Sequence, residues 1–198
     1  FGKEVVSEMN RLGMLIDVSH VSDETFYDVL KYSTKPVVAT HSCCRALSYH
    51  PRNMTDEMIQ ALADAGGVIQ INFYPLFLDS GFADVLSGSG LAEIGESIEA
   101  DFIADPSNDE KRKAWNRIQD AIQALPRPSY KLIADHIDHV VELVGIDHVG
   151  IGSDYDGIEV TPDGMEDISM MPKLFAELRA RGYTESDISK IASENFFR

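Results

Sequence analysis

Residues 14–20, MLIDVSH, and residues 36–42, PVVATHS, decide how this chain reads. Each is an apolar run of strand length with a histidine at its far end, His20 in the first and His41 in the second. A strand gains nothing in packing from a terminal imidazole, so the repetition asks for a reason. The surroundings supply part of it. Before the first run, FGKEVVSEMNRLG places Phe1, Val5, Val6, Met9 and Leu12 on one helical stripe, and Gly13 suits a C-terminal cap. Between the runs, Ser22, Asp23 and Glu24 open a helix of about ten residues, because a hydroxyl cap and an acidic first turn complement the helix dipole. Lys35-Pro36 ends it.

The pattern continues. Thr55 caps DEMIQALADA, Gly66-Gly67 ends it, and VIQINFY follows as a strand. HVGIGSD carries a fourth strand. The predicted strands fall near 14–19, 36–41, 68–74 and 148–153, within one domain spanning residues 1–198. Helices are predicted in EKRKAWNRIQDAIQAL, SYKLIADHIDHVVELVG, ISMMPKLFAELRARG and ESDISKIASENFF, the last capped by Thr184. Residues 75–110, with scattered Gly, Ser and Asp, read as an elaborated loop holding at most a short helix. Strands that alternate with helices and are apolar on nearly every residue imply an α/β protein with a parallel sheet covered on both faces. Two architectures satisfy this, a doubly wound sheet and a (β/α)8 barrel, and in both function collects at the C-terminal ends of the strands.

His20 and His41 fall at that end of consecutive strands, and Asp154 follows the fourth. A single histidine after a strand is commonly a structural hydrogen-bonding residue. Two at equivalent ends of neighbouring units admit a second reading, a shared metal ion. Adjacent strands lie about 4.8 Å apart, and Zn–N bonds are about 2 Å. Asp154 sits in GIGSDYDG, where it is either a presented carboxylate or a turn former; Asp156, directly before Gly157, also suits the turn. The net charge of −16 argues against nucleic acid and anionic membrane surfaces as partners. No apolar run approaches the length of a membrane span. The two cysteines, Cys43 and Cys44, are adjacent, which gives no disulfide framework. The expectation is a soluble protein whose compartment, cytoplasmic or periplasmic, stays open.

Four segments carry a resemblance: LGMLIDVSHVS, PVVATHS, PRNMTDEMIQALADAGGVIQINFY and GIDHVGIGSDYDG. Together, in this order, they resemble the membrane (renal) dipeptidase family, the M19 zinc metallopeptidases. The resemblance implies a (β/α)8 barrel of the amidohydrolase kind with two zinc ions bridged by a carboxylate and a hydroxide. It also implies hydrolysis of dipeptides. His20 and His41 match two histidine ligands of one zinc, and Asp154 matches the aspartate that handles the proton. Arg52, in PRN, matches the arginine that holds the substrate's C-terminal carboxylate. These residue types suit the chemistry. Zinc makes hydroxide available near neutral pH. A carboxylate beside it serves as general base and then general acid. A guanidinium fork selects a free carboxylate.

The family's His-x-Asp zinc pair, its bridging glutamate and a further histidine have no counterpart in these residues. FGKEVV resembles the helix before the fifth strand, so the chain reads as the C-terminal half of the barrel. The tyrosine that assists carboxylate binding falls at Phe77, which has no hydroxyl. Two classes of function follow: a zinc dipeptidase completed by an N-terminal half, or a partial, inactive half-barrel. A related barrel metallohydrolase acting on another amide or ester is a third. Four parallel strands cannot close a barrel, and open apolar edges invite pairing. The N-terminal half, as a separate chain or as a segment outside this sequence, is the natural cover, and a homo-oligomer of half-barrels is the alternative. His136, His139 and His148 read as structural, and His50 lies close enough to Arg52 to touch substrate.

Overall fold

The structure is a computed structural model that describes residues 1–198. Helix α1 (Gly2–Leu12) ends as its sequence requires. Gly13 takes a left-handed φ of 71°, and the amides of Gly13 and Met14 close on Asn10 and Met9. Helix α2 (Asp23–Tyr32) is capped by the Ser22 hydroxyl, which accepts from the Thr25 amide. The sheet follows. Its strands β1 (Val38–Ser42), β2 (Val68–Ile71) and β3 (Val149–Ile151) are all parallel and lie in that order. Helix α3 (Asp56–Asp64), capped by Thr55, links β1 to β2.

The expected strand at 14–19 is reduced to one parallel bridge, Asp17 with Val38. Two ladder bonds form, Val18 N–H to Val38 O and Val38 N–H to Ile16 O. The ladder stops there because side chains take over the next donors. The Thr40 amide donates to the Asp17 carboxylate at 3.1 Å, and the His41 amide donates to the Ser19 hydroxyl at 3.1 Å. On the other side of β1, Ala39 pairs with Ile69 and Ser42 with Ile71, so Thr40 and His41 together oppose Gln70. This is a β-bulge, and bulges re-aim side chains near functional sites. Gly152, just past β3, has no room for a Cβ against the Thr40 carbonyl and the Gln70 side chain, so only glycine lets the strand ends approach this closely.

The segment 75–110 corrects the loop expectation. It holds α4 (Pro75–Leu78), α5 (Ser80–Ser89) and α6 (Leu91–Ala104), followed by α7 (Asp109–Gln123). Their apolar residues, joined by Val160 from the segment after β3, build a satellite cluster of Phe82, Ile118, Ile122 and Val160, with Trp115, Leu86 and Ile98 at its margin. A Cβ at Gly95 would meet Ile118 only at ordinary contact distance, so α6 lies directly on α7. Of the scattered small residues that read as a loop, Gly95 packs against α7, while Ser80, Gly81, Ser87, Gly88, Ser89 and Gly90 stay exposed.

The main core lies between the sheet and helix α8 (Lys131–Val144), with α9 (Met171–Ala180) and α10 (Glu185–Ser189) completing it. Ile133, Ile137 and Val140 of α8 and Leu174 and Leu178 of α9 are fully buried with Ile69, Ile71 and Val149 of the strands. Thr184 and Asp187 form a reciprocal capping box at α10. No helix is long and apolar enough to cross a membrane.

Candidate active site at the carboxyl ends of the strands

His20, His41 and Asp154 all lie at the C-terminal ends of the extended segments, as the sequence placed them. The imidazoles of His20 and His41 meet: their Nε2 atoms are 2.8 Å apart and their ring centroids 4.8 Å apart. Partial burial, then the neighbouring Arg52 guanidinium and the His41 ring, hold His20 below the usual imidazole range against the opposing pull of Asp17 and Asp154. A neutral imidazole is the form that ligates a metal.

Behind His41 stands a polar network that the sequence reading did not single out. Asp17 Oδ1 accepts from the Ser19 amide at 3.0 Å, the Ser19 hydroxyl at 2.7 Å and the Thr40 amide at 3.1 Å. Asp17 Oδ2 accepts from the Thr40 hydroxyl at 2.6 Å. Thr40 Oγ1 lies 2.8 Å from His41 Nδ1. Partial burial pushes the Asp17 carboxyl up, and the bonds from Thr40 and Ser19 outweigh it, leaving the group below the usual carboxylate range. The one available signal was polar residues, Asp17, Ser19 and Thr40, inside otherwise apolar runs.

Asp154 has a φ of 61°, the one left-handed backbone among the non-glycine residues. Such a conformation costs an L-residue about 1–2 kcal/mol. It is held by the Gly157 amide, which donates to the Asp154 carbonyl at 2.9 Å. A Cβ on Gly157 would overlap Asp154 Oδ1. Asn72, fully buried just beyond β2, donates from Nδ2 to Asp154 Oδ2 at 3.0 Å. The Asn72 amide orientation is fixed because its Oδ1 accepts the Tyr74 amide at 2.6 Å. Asn72 was also missed, since an asparagine at the end of a strand looks like any turn residue.

Arg52 reaches the same rim. Its Nε donates to the Ser19 carbonyl at 2.8 Å, and its guanidinium carbon lies 5.5 Å from the centre of the Phe77 ring. Its Nη2 is buried with no partner. Burial works against the guanidinium charge, and the Asp154 and Asp17 carboxylates offset part of that. The cation is therefore short of an anion. Phe77 supplies an aromatic floor beneath the guanidinium. His50 packs on Phe77 with centroids 4.5 Å apart, and its Nδ1 accepts the Arg52 amide, so it braces this loop.

The remaining histidines serve the scaffold. His136 is buried, accepting the Cys44 amide at Nδ1 and donating from Nε2 to the Leu78 carbonyl. His139 pairs with Asp56, and His148 meets the Gly67 carbonyl at the foot of the sheet. Cys43 and Cys44 are free and buried, and burial pushes both thiols up, so neither is a ready thiolate. A cavity of about 330 Å³ between Met14, Lys35, Val38 and Phe196 lies at the opposite, N-terminal end of the strands and gathers none of these groups.

His20 and His41 alone do not complete a metal site: no three His, Cys, Asp or Glu side chains of the chain converge as ligands. The pair nonetheless fits a shared ion, because two nitrogens this close can both lie within about 2 Å of one centre.

A parallel α/β sheet with two imidazoles, a carboxylate and a guanidinium at its carboxyl rim defines an α/β protein with its site where that class carries function. The chain belongs to the membrane dipeptidase family, peptidase family M19, whose sequence model matches residues 1–198. It is 35% identical over its whole length to an uncharacterized dipeptidase of Schizosaccharomyces pombe, of which it spans 38%. The probable dipeptidase PvdM of Pseudomonas aeruginosa superposes with a TM-score of 0.77 at 32% identity, over 100% of this chain and 52% of that one. A metallo peptidase of Rhodobacter sphaeroides, liganded with a phosphinate mimic of the dipeptide L-Ala-D-Ala, superposes with a TM-score of 0.72 at 29% identity, over 99% and 44%. The chain thus spans about half or less of the proteins it matches.

Proposed function

We propose that this chain is the C-terminal half of a (β/α)8 barrel of the amidohydrolase kind and contributes to a zinc-dependent dipeptidase. The observation that carries the reading is the 2.8 Å approach of His20 Nε2 and His41 Nε2 at the carboxyl rim, with Arg52 and Asp154 beside them. Bound zinc would supply Lewis acidity and make hydroxide available near neutral pH. His20 and His41 would hold one ion. The second ion and the bridging carboxylate would come from the other half of the barrel, as a further segment or a separate chain.

This chain's own residues do the rest. Arg52 takes the C-terminal carboxylate of the dipeptide, satisfying a guanidinium that lacks an anion. Asp154, aimed by Asn72 and by its own left-handed backbone, accepts the proton of the attacking water and passes it to the leaving amine. The relative that carries a dipeptide mimic supports a dipeptide as substrate. The open edge supports completion by further strands. Leu12 at the end of α1, and Met14 and Leu15 just before the Asp17 bridge, are each more than half exposed, and an uncovered apolar edge calls for a partner.

The complete protein should contain zinc and cleave free dipeptides. Removal of metal by a chelator should abolish cleavage, and zinc should restore it. Cleavage that survives metal removal would overturn the reading. Activity confined to amides or esters without a free carboxylate would favour a related barrel hydrolase.

A further inference from the structure

We propose that Asp17 and Thr40 fix the proton of His41 on Nδ1 and so present an unprotonated Nε2 to the ion, a role that rests on the metal reading above. Both belong to the segments whose polar interruptions the active-site assignment leaves unused.

The argument is one of donors and acceptors. Thr40 has a single hydroxyl proton. Its oxygen lies 2.6 Å from Asp17 Oδ2 and 2.8 Å from His41 Nδ1. A carboxylate only accepts, so the short contact to Asp17 takes the Thr40 proton. The Thr40 oxygen then offers a lone pair to His41, and Nδ1 must carry the hydrogen. The reverse arrangement would set two acceptors face to face at 2.6 Å. Ser19 does not change this count. Its hydroxyl is 3.3 Å from Thr40 but 2.7 Å from Asp17 Oδ1, where its proton goes, and its oxygen accepts the His41 amide. Asp17 therefore holds the His41 ring through Thr40 and the His41 backbone through Ser19. With Nδ1 protonated, the lone pair of His41 lies on Nε2, the atom that faces His20. A ring nitrogen that donates to an outer partner also becomes a better ligand at its other nitrogen.

The same geometry explains the lost strand. Asp17 and Ser19 accept the Thr40 and His41 amides in place of the ladder carbonyls. Sheet pairing is given up at the one place where it secures a ligand.

Three substitutions separate this role from simple packing, each in the complete protein. Thr40→Val keeps the shape and removes the hydroxyl. Zinc affinity, measured by chelator competition, should fall about 10- to 100-fold. Thr40→Ser keeps the hydroxyl and should stay within about threefold of the parent. Asp17→Asn is the sharpest case. Its oxygen can still accept the Ser19 and Thr40 amides, but its NH2 would donate to Thr40. The Thr40 proton would turn to His41 Nδ1, moving the imidazole hydrogen to Nε2, and zinc affinity should fall at least as far as in Thr40→Val. Nitrogen-15 NMR of the metal-free protein reads the tautomer directly: Nδ1–H in the parent and in Thr40→Ser, Nε2–H in Asp17→Asn. An Nε2–H tautomer in the parent overturns the proposal. So does unchanged zinc affinity in both Thr40→Val and Asp17→Asn when His41→Ala abolishes it. If His41→Ala leaves zinc affinity intact, the metal reading fails instead, and the tautomer measurement still decides the role of Asp17 and Thr40. Should Thr40→Val not fold, the parent and Asp17→Asn spectra suffice.

Discussion

Replacing Arg52 by alanine tests the substrate reading most directly. In the structure the guanidinium is half-buried, gives one bond to the Ser19 carbonyl at 2.8 Å, rests over Phe77, and keeps a buried Nη2 without a partner. A hydrogen bond to a charged group contributes about 1.5–3 kcal/mol. Partial exposure screens the pair, so the lower part of that range applies, about 2 kcal/mol, or roughly 30-fold in kcat/KM. The loss should fall on KM for a free dipeptide in the complete enzyme. The C-terminal amide of the same dipeptide offers no carboxylate and should change by less than about threefold. Arg52→Lys keeps the charge but not the fork and should fall between the two. The lost bond to Ser19 should appear separately, as about 1 kcal/mol of stability in denaturant unfolding. Equal losses for dipeptide and amide would refute the carboxylate role, since they would mean that Arg52 only braces the loop.

Gly157→Ala should displace Asp154, because the new Cβ overlaps its Oδ1; kcat should collapse while circular dichroism stays native, and retained kcat would refute that placement of Asp154. Asn72→Ala should lower kcat with little change in KM, and should add nothing in an Asp154→Asn background; additive losses would mean that Asn72 does not act through Asp154. His136 is pushed down to about 4, chiefly by burial, from an ordinary value of 6.5. The unfolded chain therefore takes up a proton between those values that the folded chain refuses. Stability present above pH 6.5 should decline by about 2 to 3 kcal/mol on acidification to pH 4.5. Urea unfolding at pH 7.5 and 4.5 measures this, and His136→Gln should flatten the difference; an unchanged difference would clear His136 of the effect.

Much of this protein was legible in its sequence because the signals were local. Caps at Ser22, Thr55 and Thr184, and the glycine at 13, depend only on neighbouring backbone donors and acceptors, and they fell where the residue types placed them. The apolar runs named β1, β2 and β3, and a parallel sheet required its polar groups at one rim. The helices of 75–104 were not legible, because exposed glycines and serines break their stripe, and their packed face emerges only when α6 lies against α7 at Gly95.

The sequence by itself determined which side chains stand at the carboxyl rim: His20, His41, Asp154 and, through its family resemblance, Arg52. Only the tertiary structure decided how they are aimed. The bulge at Thr40 and His41, the exchange of ladder bonds for Asp17 and Ser19, and the hold of Asn72 on Asp154 each join residues about 20 to 80 positions apart. A hydrogen bond is made by proximity in space, and no periodicity along the chain records which distant donor will meet which acceptor.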